Sequence, residues 1–343
     1  MQCRSDDGAA ILGRHLRAEP GTAPHDARTG ARLPCRDCSG YGRLPGLQAL
    51  CPCVSHHTLD PDTLSEGLAD DTFIGAKFYP KGATTNSDSG IVDVSTLWTP
   101  GTQQYDLIRA VHGHGKVVQL HCELNYALDG YELDPYDKEP YFFKEVMPRL
   151  LNAHPNGKWS CEHLTCEEGA EFMRINGGPK LGCSITPHHL LYDRRDMFRG
   201  GLRPHLFCLP VIKANEHRSA LLELVRTGLD FVYAGTDSAP HDRRKKECDC
   251  CSGGVFTAHA AVELYAQVFE SIGALDELEG FLSINGPTFY GLPVSDEYIK
   301  LRRKSWTVDR ELNYSNDPLD IVRPHGFETD PKKRLVIDWQ MSS

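Results

Sequence analysis

Four polar side chains mark where this chain could do chemistry: Lys77, His121, His163 and Asp237. Each falls at or near the carboxyl end of a different run of apolar, β-branched or aromatic residues. Singly, each has an ordinary explanation. A lysine closing a strand is commonly solvated, and a histidine on an apolar strand is more often a hydrogen-bonded core residue than a ligand. A carboxylate in Ala234-Gly235-Thr236-Asp237-Ser238, directly after such a run, is a stronger candidate for a functional acid. Together they offer metal-binding donors, because a metal site needs several ligands arriving from separate elements.

The elements that must position them follow from periodicity. Runs at 72–79, 116–122, 158–164, 181–185 and 230–234 read as strands. Amphipathic stretches at 104–111, 141–151, 167–175 and 216–227 read as helices, and a further helix covers 259–271. This alternation predicts an α/β protein with a parallel sheet, open or closed into a barrel. A barrel gathers its chemistry at the carboxyl ends of its strands. An open doubly wound sheet gathers it at a switch point, commonly with a glycine-rich phosphate loop. No such loop follows a predicted strand here, so a (β/α)8 TIM-type barrel is favoured.

Six motifs carry a resemblance. Gly75-Ala76-Lys77-Phe78-Tyr79-Pro80, continuing to Gly82-Ala83-Thr84-Thr85-Asn86-Ser87, is similar to the dihydroorotase segment that bears a carbamylated lysine and a mobile loop. Gln119-Leu120-His121-Cys122-Glu123 and Cys161-Glu162-His163-Leu164-Thr165 resemble its two single-histidine strands. Arg203-Pro204-His205-Leu206-Phe207-Cys208-Leu209-Pro210 and Gly235-Thr236-Asp237-Ser238-Ala239-Pro240-His241 resemble its substrate segment and aspartate strand. Ser283-Ile284-Asn285-Gly286-Pro287 through Tyr290-Gly291-Leu292-Pro293 is similar to its C-terminal part. The likeness spans 58–300 and points to the monofunctional bacterial-type branch of the amidohydrolases.

The resemblance implies a zinc-dependent, reversible ring closure of N-carbamoyl-L-aspartate to (S)-dihydroorotate in pyrimidine biosynthesis. Two zinc ions would be bridged by N6-carboxylated Lys77, with His121, His163 and Asp237 as further ligands and Asp237 as the proton shuttle. His241, the backbones of Leu209 and Gly253, and the side chains of Thr84 and Thr85 would hold the substrate. A homodimer is implied as well. A related hydantoinase- or allantoinase-like activity is argued against by Thr84-Thr85 and by the 203–210 segment.

Bulk properties agree with that reading. The 343 residues carry a formal net charge of −10, which argues against nucleic acid as a partner but not against a small anion held by a few local cations. No apolar run is long enough to span a bilayer, and the N-terminus lacks a secretory apolar core. Thirteen cysteines without an export signal predict reduced thiols and a cytoplasmic protein. Arg243-Arg244-Lys245-Lys246 reads as a solvated loop face, and Cys248, Cys250 and Cys251 beside it as structural.

Residues 1–57 break the pattern, and the domain division is set at 1–57 and 58–343. The family's first strand carries His-x-His-x-Arg, two ligands of the first zinc and a substrate arginine; no His-x-His precedes Lys77. Gly13-Arg14-His15-Leu16-Arg17 is the nearest relic, and the adjacent His56-His57 would point to opposite faces of a strand. The barrel's first three strands are therefore unrecognisable. Three readings stay open: a mistranslated or mis-spliced stretch, which is favoured in the form of out-of-frame translation; a diverged half of an inactive scaffold subunit; or a zinc knuckle from Cys35, Cys38, Cys51 and Cys53.

Overall fold

In the computed structural model the described residues are 9–13, 51–54, 61–70, 73–83, 90–313, 319–328 and 331–342. Thr84, Thr85, His15, Arg17, Cys35, Cys38, His56 and His57 lie outside them.

The first seven strands are β1 (Ala9–Gly13), β2 (Cys51–Val54), β3 (Phe73–Phe78), β4 (Val117–His121), β5 (Trp159–Glu162), β6 (Leu181–Ile185) and β7 (Val232–Ala234). Strands β2 to β7 form one sheet in chain order, every neighbouring pair parallel. The five predicted strands are all present in it. The expectation that nothing recognisable precedes Lys77 needs one correction, because Cys51–Val54 pairs with β3 and places Val54 opposite Lys77.

Helices return the chain between strands, and their sequences explain where they begin. In Gln103–Gly113 the Thr102 side chain caps the first turn by accepting from the Tyr105 amide, while Leu107, Ile108 and Val111 form the buried stripe. Glu167–Asn176 opens with two glutamates and ends with Arg174 in its last turn, charges that complement the helix dipole. Asn215–Arg226 buries Leu221, Leu224 and Val225. Their apolar faces meet the sheet in one core that includes Val118, Phe142, Phe143, Trp159, Leu224 and Phe269. Strand β6 is buried at all five positions, as expected of a parallel strand covered on both faces.

Close strand approach is written into one residue. A Cβ on Gly75 would lie 2.2 Å from the Val117 carbonyl oxygen of β4, so a side chain there would push the two strands apart. The register places Lys77 opposite Gln119, and His121 opposite Glu162. Residues separated by more than forty positions thus reach the same end of the sheet.

The last part of the chain builds a separate small sheet. Strand β8 (Tyr298–Thr307) is followed by a two-residue pair, β9 (Leu312–Asn313) and β10 (Ile321–Val322), and by β11 (Val336–Ser342). Strand β8 lies between β1 and β11, antiparallel to both. Gly13 therefore belongs to this sheet, paired with Tyr298, and not to the parallel one. Helix Ala261–Ser271 fixes β11 through side chains one turn apart: Gln267 accepts from the Asp338 amide at 3.1 Å and Glu263 from the Met341 amide at 3.2 Å.

Candidate active site

The carboxyl ends of β3, β4 and β5 bring the predicted donors together. His121 closes β4 and His163 follows β5 directly, and both are buried. His121 Nδ1 lies 3.1 Å from His163 Nε2, and Lys77 Nζ lies 3.4 Å from the same Nε2. The imidazole planes are inclined at 62° with centroids 4.8 Å apart. On the far side of its ring His121 Nε2 meets Glu123 Oε2 at 3.0 Å. With the Nε2 proton donated to that carboxylate, the Nδ1 lone pair is turned toward His163 and Lys77.

His163 is held by its backbone. Its φ of 45° is in the left-handed region that non-glycine residues avoid, and its amide donates to Ser184 Oγ at 2.8 Å. Ser184 in turn donates to Glu162 Oε2 at 2.7 Å. Burial, then the charges of Lys77 and His121, hold the His163 imidazole well below its ordinary pKa, so it is neutral and able to offer a lone pair. Its Nδ1 is buried and has no hydrogen-bond partner among the described residues.

Asp237 also has positive φ, 42°, and follows β7 by a few residues. Backbone strain at both His163 and Asp237 fits the concentration of such conformations at working sites. The Asp237 side chain is exposed to water, which tempers the upward push that the surrounding protein gives its carboxyl; Lys77 opposes that push and Glu162 adds to it.

A polar layer between the strands supports these groups. Gln119 Nε2 donates to Tyr290 Oη at 2.7 Å, and Tyr290 donates to Glu162 Oε1 at 3.1 Å. Asn285 anchors the helix that carries Tyr290 by donating to the Leu229 and Val232 carbonyls at 3.1 and 2.9 Å. The Ser283-to-Pro293 motif thereby reaches β4, β5 and β7 from the end of the chain.

Of the predicted substrate residues, His241 and Gly253 lie together. His241 Nε2 lies 2.9 Å from the Gly253 carbonyl oxygen, and the Gly254 amide donates to the Phe207 carbonyl at 2.9 Å, two residues before Leu209. Lys246 ties this corner together. Its ammonium donates to the carbonyls of Phe207, Ser252 and Gly254 at 2.8, 2.6 and 2.9 Å. The expected solvated face at 243–246 is corrected here: Lys246 is buried, and burial pushes its pKa down to about 8. Sequence reading also gave no role to Glu123, although it stands two residues after His121, where a strand end returns to the same side.

No protein-family model matches the chain. Dihydroorotase from Azoarcus sp. (strain BH72) is 40% identical over 331 residues, covering 92% of this chain and 92% of that protein. Dihydroorotase from Aliivibrio salmonicida (strain LFI1238) is 38% identical over 262 residues, covering 76% of this chain and 73% of that protein. The chain belongs to the dihydroorotase family. Among solved structures, the dihydroorotase of Saccharomyces cerevisiae in complex with 5-fluoroorotic acid superposes with a TM-score of 0.74 at 28% identity, over 84% of this chain and 79% of that one. Dihydroorotase from Campylobacter jejuni shares the fold over 99% of both chains, with a TM-score of 0.76 at 22% identity. D-hydantoinase from Thermus sp. shares it more loosely, with a TM-score of 0.61 at 17% identity over 84% of this chain and 65% of that one. The architecture is thus the TIM-type barrel of the amidohydrolases, and the parallel strands β2 to β7 are its described part.

Proposed function

We propose that this dihydroorotase-family chain catalyses the reversible cyclisation of N-carbamoyl-L-aspartate to (S)-dihydroorotate, with Lys77, His121, His163 and Asp237 as its metal ligands. The observation that carries the reading is the meeting of Lys77, His121 and His163 within 3.4 Å, from three different strand ends.

The donor set fits zinc. Two imidazoles, a carboxylate and a lysine that CO2 can convert to a carbamate are nitrogen and oxygen donors of the kind zinc takes. The His163 Nε2 that faces Lys77 and His121, and the Nδ1 of His121 turned inward by Glu123, leave lone pairs for a cation. When bound, a zinc pair polarises the scissile carbonyl and lowers the pKa of water toward neutrality.

The remaining chemistry falls to side chains. Asp237, whose carboxyl the surrounding protein pushes upward, is the side chain that accepts a proton and returns it to the amide nitrogen as the ring opens. His241 and the main chains of Leu209 and Gly253 orient the substrate, its carboxylate against the imidazole and its amide edge against the backbone. Thr84 and Thr85 would hydrogen-bond it. The same reading has a cytoplasmic homodimer with reduced thiols.

The test measures zinc by mass spectrometry alongside turnover of dihydroorotate. The expected result is two zinc ions per chain at the Lys77 centre with turnover, and loss of those two ions and of turnover in Lys77→Ala. Wild-type protein that holds no zinc and turns over no dihydroorotate would leave a scaffold subunit and remove the enzyme.

A further inference from the structure

A second group of metal-type donors, none of them shared with the Lys77 centre, lies after β6. His188 and His189 stand in the short helix Pro187–Leu191, and Cys208 approaches them from the 203–210 segment. All three are buried, and one ligand atom from each lies within 4.8 Å of the others. We propose that His188, His189 and Cys208, completed by the Pro210 carbonyl, bind a zinc ion.

The donor spacing supports this. His189 Nε2 lies 3.0 Å from Pro210 O and 3.5 Å from Cys208 Sγ, and that sulfur lies 3.2 Å from the same carbonyl. Bonds of about 2.0–2.3 Å to a tetrahedral zinc separate neighbouring donors by roughly 3.3–3.8 Å, so this triangle is one face of such a site after small adjustments. His188 supplies the fourth corner. It is fully buried, and neither of its ring nitrogens has a hydrogen-bond partner among the described residues. Two unpaired nitrogens on one enclosed imidazole are uncommon in a finished core.

Orientation is provided as well. Thr186 Oγ1 lies 2.7 Å from His189 Nδ1, and a metal-ligating histidine characteristically donates its second N–H to such an oxygen. Without metal the other tautomer serves, with Nε2–H donated to Pro210 O. Binding shifts the imidazole proton from Nε2 to Nδ1 and releases the Cys208 thiol proton to solvent, so one proton leaves per ion bound. Thiolate with two imidazoles selects zinc over magnesium or calcium.

The sulfur ligand separates this site from the Lys77 centre, whose donors are nitrogen and oxygen. Cobalt substituted for zinc in the whole protein should give a near-ultraviolet thiolate-to-cobalt charge-transfer band. Cys208→Ser should abolish the band and lower metal content by one equivalent, and His188→Gln should weaken retention of that equivalent against a chelator. Lys77→Ala should keep the band. The triple variant Cys248→Ser, Cys250→Ser, Cys251→Ser should keep it too. A wild-type protein with no such band, or a band that survives in Cys208→Ser, would overturn the proposal; should Cys208→Ser fail to fold, an unchanged band and chelator resistance in His188→Gln would do so.

Discussion

At the scale of the residue, the chemistry depends on which way each imidazole is turned. His121 is turned by Glu123, a buried carboxylate whose Oε2 takes one ring nitrogen while Oε1 has no hydrogen-bond partner among the described residues. A charge enclosed in this way is costly unless a cation or a protonated partner faces it. That expense is explained if the carboxylate raises the basicity of a metal-bound His121. Glu123→Gln keeps an acceptor and the side-chain shape but removes the charge. Zinc should then be stripped by a chelator about 10–100-fold more readily. Competition with a fluorescent chelator measures this directly, and unchanged retention would show that Glu123 is only a packing residue. The sequence exposed the proposed ligands because lysine, histidine and aspartate are conspicuous at apolar strand ends. It hid Glu123 and Lys246, because nothing in a glutamate or a basic run says whether it turns inward.

At the scale of the element, legibility followed burial. The run at 181–185 coincides with β6, and the other four predicted strands extend past the observed ones by only one or two residues at an end. These strands are short, apolar and covered on both faces, so composition marks them. Strand β2 escaped because it has four residues, one of them Pro52. Strand β8 escaped for the opposite reason: most of its ten residues are exposed, so no apolar period marks it. Gly75 gives a test of how tightly the strand pair must close. In Gly75→Ala the new methyl group would meet a backbone oxygen, which cannot rotate away. The variant should lose about 1–3 kcal/mol of stability to this overpacking and move Lys77 away from His163. Urea unfolding and zinc content measured together check both parts. A variant with wild-type stability and metal content would show that β3 and β4 can separate without disturbing the site.

Lys246 belongs to the same scale, since one ammonium fastens three carbonyls from two segments. Replacing it by methionine keeps the stem and removes the donors. The corner holding His241 and Gly253 should loosen, raising KM for dihydroorotate more than it lowers kcat, because those residues are the ones proposed to orient the substrate. A kcat loss with unchanged KM would assign the segment a part in the chemical step instead.

At the scale of the whole molecule, the alignment with the Azoarcus protein covers 92% of the chain and leaves 8% outside it. The 57 residues ahead of position 58 make up more than that share of 343, so part of this segment aligns as well. The parallel sheet likewise continues into it through β2. What the sequence withheld there is the donor pair expected on the first strand, and composition alone could not place the 51–54 strand beside Lys77.

The balance of charge and buried imidazoles also sets how the molecule responds to acid. Burial pushes His112, His205 and His259 each down to about 4, whereas an unfolded imidazole titrates near 6.5. Between those values the unfolded chain binds protons that the folded one refuses, so stability falls as pH drops from about 6.5 to about 4. Above the upper value both states are neutral and these groups contribute no pH dependence. Below the lower value both are charged and their contribution levels off. Each histidine supplies up to about 1.4 kcal/mol of loss per pH unit within the window. The net charge of −10 works in the other direction, because early protonation of carboxylates relieves repulsion, but that relief is spread over a screened surface. The buried histidines should therefore win. His112 offers the cleanest check: its ring meets Trp159 edge-on at 4.8 Å and its Nε2 has no hydrogen-bond partner among the described residues, so His112→Phe preserves the stacking and removes the titration. Denaturation of the wild type at pH 7.5, 6 and 5 should show progressive loss, and His112→Phe should flatten it by about one group's share. Parallel curves for the two proteins would mean that acid sensitivity arises elsewhere.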